Sequence, residues 1–253
     1  MCLWNETILY NFTGGADGGY PGYGKLTFDQ AGNLYGTTLY GGSRGDGVVF
    51  KLARSGSGWT ESVIWDFANG GGYSPLAGVI FDSAGNLYGT TPSTVYELSP
   101  TQSGWTETTL SASVGGAGGL TWDAQGNLYG MTGNGSQGGD ASVYKLTPQN
   151  GSWTSSVLYD WGEQYIAPAA APTFDSQGNL YGPLPTYPGT DGLIFKLTPS
   201  GDHWVYTPYH QWFGGSGGGG PIGAVVFDAS GNMYGTFAGV GIGGGSAVWE
   251  ITP

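Results

Sequence analysis

The sequence predicts an all-β protein, a five-bladed β-propeller of four-stranded antiparallel blades. Three observations carry that prediction: one hairpin is written five times, the first four copies are each followed by two further strand-like runs and the fifth by one, and the two ends of the chain complement one another.

The hairpin "FDSAGNLYGTT" spans Phe81 to Thr91, and close copies open at Phe28, Trp122, Phe174 and Phe227. Aligned on their last glycine they give Gly36, Gly89, Gly130, Gly182 and Gly235, spaced 53, 41, 52 and 53 residues apart. Periods of this size mark a repeated supersecondary unit. The first strand of each unit ends in an aromatic residue followed by Asp, and a Gly stands three positions after that Asp. This pattern suits a type I turn whose glycine is left-handed, so Asp29, Asp82, Asp123, Asp175 and Asp228 read as turn formers rather than catalysts. The second strand is "LYGTT" or a relative. The third, "VVFKL", "TVYEL", "SVYKL", "LIFKL" or "AVWEI", alternates with the period of two of a half-buried strand. The fourth is "WTESVIWDF" or a relative, whose Trp59, Trp105, Trp153 and Trp204 read as packing residues.

Residues 4–12, "WNETILYNF", match a fourth strand with no unit before it, while "AVWEITP" at the other end is a third strand with no fourth behind it. The N-terminal strand is therefore expected to complete the C-terminal blade, closing the ring and removing two exposed sheet edges. That gives a single domain over 1–253, with blades at about 24–67, 77–110, 118–161, 170–212, and 223–252 plus 4–12. Closed edges favour a monomer.

Of the 253 residues 52 are Gly, but 39% are hydrophobic and 15% aromatic, enough to build a core. Acidic residues outnumber basic ones 18 to 6, and a net charge of −12 argues against nucleic acid and anionic membrane surfaces as main partners. No stretch reaches the length of a membrane-spanning helix, and "MCLWNETILYNF" has neither the basic nor the apolar region of a signal peptide. The one cysteine, Cys2, forms no intrachain disulfide. Two histidines speak against a multi-histidine metal site, and no cofactor is implied; loop Asp and carbonyl oxygens are compatible with calcium.

Hairpins of the "FDSAGNLYGTT" type followed by "GG…G.VFKL.P.G..W.E..LY.F" resemble the GloVer tandem repeats of bacterial proteins with various sorting anchors, the choice-of-anchor propellers. The resemblance covers nearly the whole chain. It implies an extracellular or surface-attached propeller and brings no established activity with it. In format more than in sequence, five blades of about fifty residues are also similar to the tachylectin type of five-bladed lectin.

In such a propeller the first strands line the axis, the short turns lie on one face and the longer connections on the other, where function is expected. In the second blade both long connections are cut short, predicting a notch in the rim. Residues peculiar to one blade are the candidates. Lys25 stands where other blades have Gly78, Gly119, Ala171 and Ala224. His210 replaces Tyr10, Trp65 and Tyr159. Glu163 is an extra acid near Asp160, Arg44 and Asp46 lie in "GGSRGDG", and Asp140 and Asp191 precede later third strands.

Two functional classes use these residues. The first is recognition of an oligo- or polysaccharide on the long-loop face, with Tyr23, Tyr40, Arg44, Tyr73, Tyr165, Tyr187 and Trp212 as ligand-binding residues and Tyr20 beside them. The second is a glycan-active hydrolase or lyase built from Asp17, Asp66, Asp160 and Glu163, with Lys25 or His210 as the proton-transfer or charge-stabilising partner. Glycosidase chemistry needs paired acids, and the axial strands "GKLTFD", "AGVIFD", "GGLTWD", "APTFD" and "GAVVFD" offer only the turn aspartates, on the opposite face. A structural surface repeat with no ligand is the third class. The residues leave open whether the protein is an enzyme.

Overall fold

The computed structural model describes residues 5–22, 24–70, 72–116, 118–133, 141–162, 170–185, 191–213, 219–239 and 246–253. The expected Glu163, Tyr23, Tyr165, Tyr187 and Asp140 lie outside them. Five four-stranded antiparallel sheets form the blades of a five-bladed β-propeller. The first contains Thr27–Phe28 (β1), Leu34–Thr38 (β2), Val48–Ser55 (β3) and Gly58–Asp66 (β4). The second contains Ile80–Phe81 (β5), Leu87–Thr90 (β6), Val95–Thr101 (β7) and Gly104–Ser111 (β8). The third has Thr121–Trp122 (β9), Leu128–Thr132 (β10), Ser142–Gln149 (β11) and Ser152–Asp160 (β12), and the fourth has Thr173–Phe174 (β13), Leu180–Leu184 (β14), Leu193–Ser200 (β15) and His203–Gln211 (β16). In these four sheets spatial order follows chain order. The fifth is Gly219–Pro221 (β17), Val226–Phe227 (β18), Met233–Gly239 (β19) and Ala247–Ile251 (β20), with β19 paired to all three others. The one helical turn among the described residues is the 3-10 segment Phe67–Asn69.

Each repeated aspartate is consumed by its own hairpin. Asp123 Oδ1 accepts from Gln125 N and Asn127 N at 2.9 Å, and its Oδ2 accepts from Asn127 Nδ2 at 2.6 Å and Tyr129 Oη at 3.0 Å. Asp29, Asp82, Asp175 and Asp228 repeat the same four bonds. The Asn and Tyr of "GNLYG" are therefore the second half of the turn signal. Burial pushes the Asp123 carboxyl up, but the Asn127, Tyr129 and Gln125 bonds outweigh it and hold the group below the usual carboxylate range.

The glycine of "LYG" has a packing reason. A Cβ on Gly36 would meet Phe50 Cζ at 2.6 Å, and one on Gly182 would meet Phe195 Cε1 at 2.6 Å. On Gly89, Gly130 and Gly235 it would fall onto the rings of Tyr96, Tyr144 and Trp249. The third-strand aromatic lies against the second-strand glycine in every blade, and only a hydrogen leaves room for it. Between Val49/Phe50, Val143/Tyr144 and Ile194/Phe195 the ladder to the outer strand carries a bulge, which bends that edge strand.

The chain divides into two compact units, Met1–Thr91 with Tyr96–Thr109, and Pro92–Val95 with Leu110–Pro253. In the first, Tyr35, Val49, Phe67, Val79, Leu87, Tyr96 and Leu98 form one core cluster, and Leu34, Val48, Phe50 and Leu52 a second. Thr27 Oγ1 donates to Val79 O at 2.6 Å and Thr37 Oγ1 to Ala77 O at 2.9 Å, tying the first sheet to the second. In the second unit the core includes Tyr129, Met131, Val143, Trp161, Leu180 and Phe195, with a further cluster of Tyr181, Ile194, Val225 and Met233. The expected packing tryptophans follow suit: Trp59, Trp105 and Trp204 lie against these clusters, and Trp153 lies 6.3 Å from Trp122.

The N-terminal segment differs from expectation in its hydrogen bonding. Residues 5–13 form no strand, and the fifth sheet draws its fourth strand from Gly219–Pro221, which pairs with Phe237–Gly239 at the far end of β19. What the segment does is pack. Leu9, Tyr10 and Phe12 lie on the cluster around Phe50, with Phe12 and Phe50 rings 4.8 Å apart edge to face. Phe67 on Tyr96 and Trp161 on Phe195 repeat that contact from the ends of the first and third sheets. Aromatic packing and the carboxylate of Asp17, which takes Thr13 N, Thr13 Oγ1 and Tyr10 Oη, hold the segment in place of a ladder.

The shortening of the second blade is present: β6 and β7 are joined by residues 91–94, where β2 and β3 are joined by 39–47.

Candidate functional site

Three Gly-rich connections of the first unit, 13–20, 39–47 and the described residues 67–70 and 72–75, are braced into one loop layer. Thr38 Oγ1 donates to Tyr40 O and accepts from Val48 N, closing the base of the nine-residue connection. Gly42 N donates to Gly15 O at 2.9 Å and Gly47 N to Gly41 O at 3.0 Å. Gly41, at φ 83°, lies against the backbone of Gly18, a close approach that a side chain would prevent. Asp66 is the main clamp. Its Oδ2 accepts from Ser43 N at 2.8 Å and Ser43 Oγ at 2.7 Å, and its Oδ1 accepts from Ala68 N at 3.0 Å. Burial pushes its carboxyl up, and the Ser43 and Ala68 bonds overcome this and hold it below the usual carboxylate range. Ser74 N then donates to Asp46 O at 2.6 Å, fastening the third connection to the second.

This layer presents two tyrosines. Gly19 and Tyr40 exchange both backbone bonds, at 2.8 and 3.1 Å, and Leu39 N donates to Tyr20 O at 3.2 Å. The Tyr20 and Tyr40 rings lie 6.2 Å apart at a tilt of 49°, and each residue is 56% exposed. Tyr20 is held at φ 61°. A bulky L-residue in the left-handed region costs about 1–2 kcal/mol. Here that strain sets an aromatic ring in solvent beside a second one.

Arg44 extends from the same connection, its side chain 72% exposed and its Nε 3.8 Å from Asp46 Oδ2. Tyr73, half-buried, precedes Ser74. The structure thus brings Tyr40, Arg44, Asp66 and Tyr73 onto one loop layer with Asp17 and Tyr20.

The other expected residues are placed elsewhere in the fold. Lys25 is exposed, its backbone abutting Gly78 too closely for a Cβ there. Asp160 ends β12, and its Oδ1 accepts from Gly162 N at 2.7 Å. His210 sits edge to face with Trp212 at 4.5 Å, and Trp212 is wedged against Phe237 and Trp249 at 5.5 and 5.6 Å. Trp212 therefore serves the core of the fifth sheet. Among the described residues no three His, Cys, Asp or Glu side chains gather to hold a metal.

One polar residue near the layer escaped the sequence. Glu61 on β4 has Oε1 buried without a hydrogen-bond partner, and burial, helped by the charge of Asp17, pushes its carboxyl up. Its setting in the alternating "WTES" strand reads as an ordinary edge position.

A family model, described as the Gloeobacter/Verrucomicrobia repeat, matches residues 4–190. No curated protein matches the chain. Among solved structures, a chain from the crystal structure of a nidogen/laminin complex is similar with a TM-score of 0.52 and 17% identity, over 85% of this chain and 71% of that one. At that identity the likeness concerns the fold.

Proposed function

We propose that this chain, which belongs to the Gloeobacter/Verrucomicrobia repeat family, is a carbohydrate-binding propeller whose oligo- or polysaccharide ligand lies across Tyr20 and Tyr40. One observation carries this: Tyr20 is held at φ 61°, the residue 56% exposed beside an equally exposed Tyr40. Left-handed strain of about 1–2 kcal/mol is here borne by a residue more than half exposed, and such strain collects at ligand sites. Flat C–H faces of a sugar ring stack on exposed aromatic rings, which offer large apolar area with a polar tip. The best-placed acid of the layer, Asp66, has both oxygens committed to bracing, which favours binding over turnover. An extracellular or surface-attached position fits a polysaccharide ligand and belongs to the same proposal.

The test is retention on insoluble polysaccharides together with assay of soluble products. Binding without products, weakened about tenfold or more in Tyr20→Ala and Tyr40→Ala, supports the proposal. Products released by the wild type would make the protein an enzyme, and retention unchanged in both variants would remove the tyrosines from the site.

A further inference from the structure

We propose that Arg44 makes this site selective for glycans that carry a carboxylate; the proposal rests on Tyr20 and Tyr40 being the sugar platform. The chain has six basic side chains, and four are spent on aromatic rings of their own blades. Lys51 Nζ lies 5.5 Å from the Tyr35 ring, Arg54 Cζ 4.9 Å from Trp59, Lys145 Nζ 5.7 Å from Tyr129 and Lys196 Nζ 5.6 Å from Tyr181. The three lysine contacts recur with the repeat, and all four lie within a blade and belong to the fold. Lys25 and Arg44 stand apart from that pattern, and of the two only Arg44 belongs to the layer that presents the tyrosine pair.

Its guanidinium makes no hydrogen bond among the described residues. The one ion contact it makes among the described residues runs through Nε, at 3.8 Å to Asp46 Oδ2, beyond hydrogen-bond length. Both terminal nitrogens are left for solvent or ligand. Its backbone is fixed on either side: Ser43 is bound by N and Oγ to Asp66, and Asp46 O accepts from Ser74 N. A guanidinium carried on a braced backbone, with its fork open, fits a planar carboxylate through two parallel N–H donors, and lysine does not reproduce that geometry. Four residues earlier on the same connection Tyr40 offers the stacking face. A uronic-acid residue presents both features at once, an apolar ring face and a carboxylate at its edge. The chain's net charge of −12 opposes an acidic ligand at long range. At about 0.15 M salt that repulsion is screened beyond roughly 8 Å, which leaves the local fork to decide.

Matched ligand pairs test this: oligogalacturonate against its methyl ester, and oligoglucuronate and oligomannuronate against their carboxyl-reduced forms, each titrated calorimetrically into wild type, Arg44→Gln, Arg44→Lys and Tyr20→Ala. The acid of at least one pair is expected to bind about tenfold or more tightly than its neutral form, in keeping with a charge-assisted bidentate contact. Arg44→Gln is expected to abolish that preference with the neutral affinity unchanged, Arg44→Lys to restore part of it, and Tyr20→Ala to weaken both members of the pair. Equal binding of acid and neutral forms, or a preference that survives in Arg44→Gln, overturns the role of Arg44 and leaves the platform standing. If no member of any pair binds, the platform falls with it. Arg44 is exposed, so a thermal melt unchanged in Arg44→Gln establishes that the fold is intact.

Discussion

Gly182→Ala tests whether the repeated glycine is kept for packing. The residue lies outside the left-handed region, so an alanine meets no conformational obstacle and any cost is steric. Its Cβ would lie 2.6 and 2.7 Å from Phe195 Cε1 and Cζ and 3.1 Å from Met131 Sδ. Ordinary contact begins near 3.4 Å, so the ring must withdraw by about 0.8 Å. It has nowhere to go: Phe195 is fully buried, and the Trp161 ring lies 5.3 Å away on edge. Overpacking of this kind costs about 1–3 kcal/mol, against a gain of about 0.4–1 kcal/mol from the stiffer unfolded chain. The expected net loss is about 1–2 kcal/mol, or roughly 2–8 °C in Tm for a chain of this size. Circular dichroism melts of wild type, Gly182→Ala, Phe195→Leu and the double variant decide it. The smaller side chain should accommodate the new methyl, so the double variant should be more stable than the two single losses added together, by about 1 kcal/mol or more. A Gly182→Ala protein as stable as wild type, or strict additivity, would refute the packing explanation.

Four further outcomes are expected. Asp123→Ala leaves Asn127 Nδ2 and Tyr129 Oη, both on buried residues, without their acceptor, and should lower stability by about 2–4 kcal/mol in a urea titration. Asp29, Asp66, Asp123 and Asp175 all have carboxyls held below their ordinary range, so their contribution is complete above about pH 4 and lost as pH falls through the depressed values; Tm measured from pH 6 to 2 should drop below about pH 4. Glu61 has the opposite sign: its raised carboxyl favours folding while protonated and opposes it once ionised, so Glu61→Gln should raise Tm at pH 7 and lose that advantage near pH 4. Tyr20→Gly should relieve the left-handed strain and leave Tm level or higher, while retention on polysaccharide is lost.

The sequence shows the fold wherever a signal is local. Asp at the turn and Gly three residues on predicted the hairpins, and the alternating third strands fell where expected. The N-terminal segment shows where such signals stop. "WNETILYNF" carries the spacing of an outer strand, and Leu9, Tyr10 and Phe12 do pack as such a strand would, because packing depends on the segment's own side chains. A ladder depends on which neighbouring edge is free, and that is not written in the segment itself. Gly219–Pro221 was invisible for a related reason: glycine and proline carry no alternation, so a strand made of them reads as loop. At the site, Tyr40 and Arg44 stood out as side chains in a glycine-rich connection. The strained conformation of Tyr20 could not be foreseen, because a left-handed tyrosine is imposed by the bonds from Gly19 and Leu39 to the backbone around it. Trp212 looked equally available in sequence, but its neighbours Phe237 and Trp249 come from later strands and hold it, partly buried, against the core.

The partition of polar groups explains why binding and stability should separate in this chain. In each repeat the aspartate is closed onto its own turn, and its tyrosine lies under a lysine in the first, third and fourth blades. In the fifth, where Glu250 takes the lysine's place, it instead accepts a hydrogen bond from the Tyr234 hydroxyl at 2.8 Å. The same position has changed charge between blades, and the interaction has changed with it: a cation over the ring face, an anion at the hydroxyl. Groups so engaged are costly to redirect toward a ligand, since removing any one of them leaves a partner unsatisfied. The loop layer of the first unit is arranged differently. There the bracing is carried by backbone amides and by the side chains of Thr38, Ser43, Asp17 and Asp66, while Tyr20, Tyr40 and Arg44 are exposed. Substitution at these three can therefore alter recognition at little cost to the blades, whereas substitution at the repeated positions acts on the blades first.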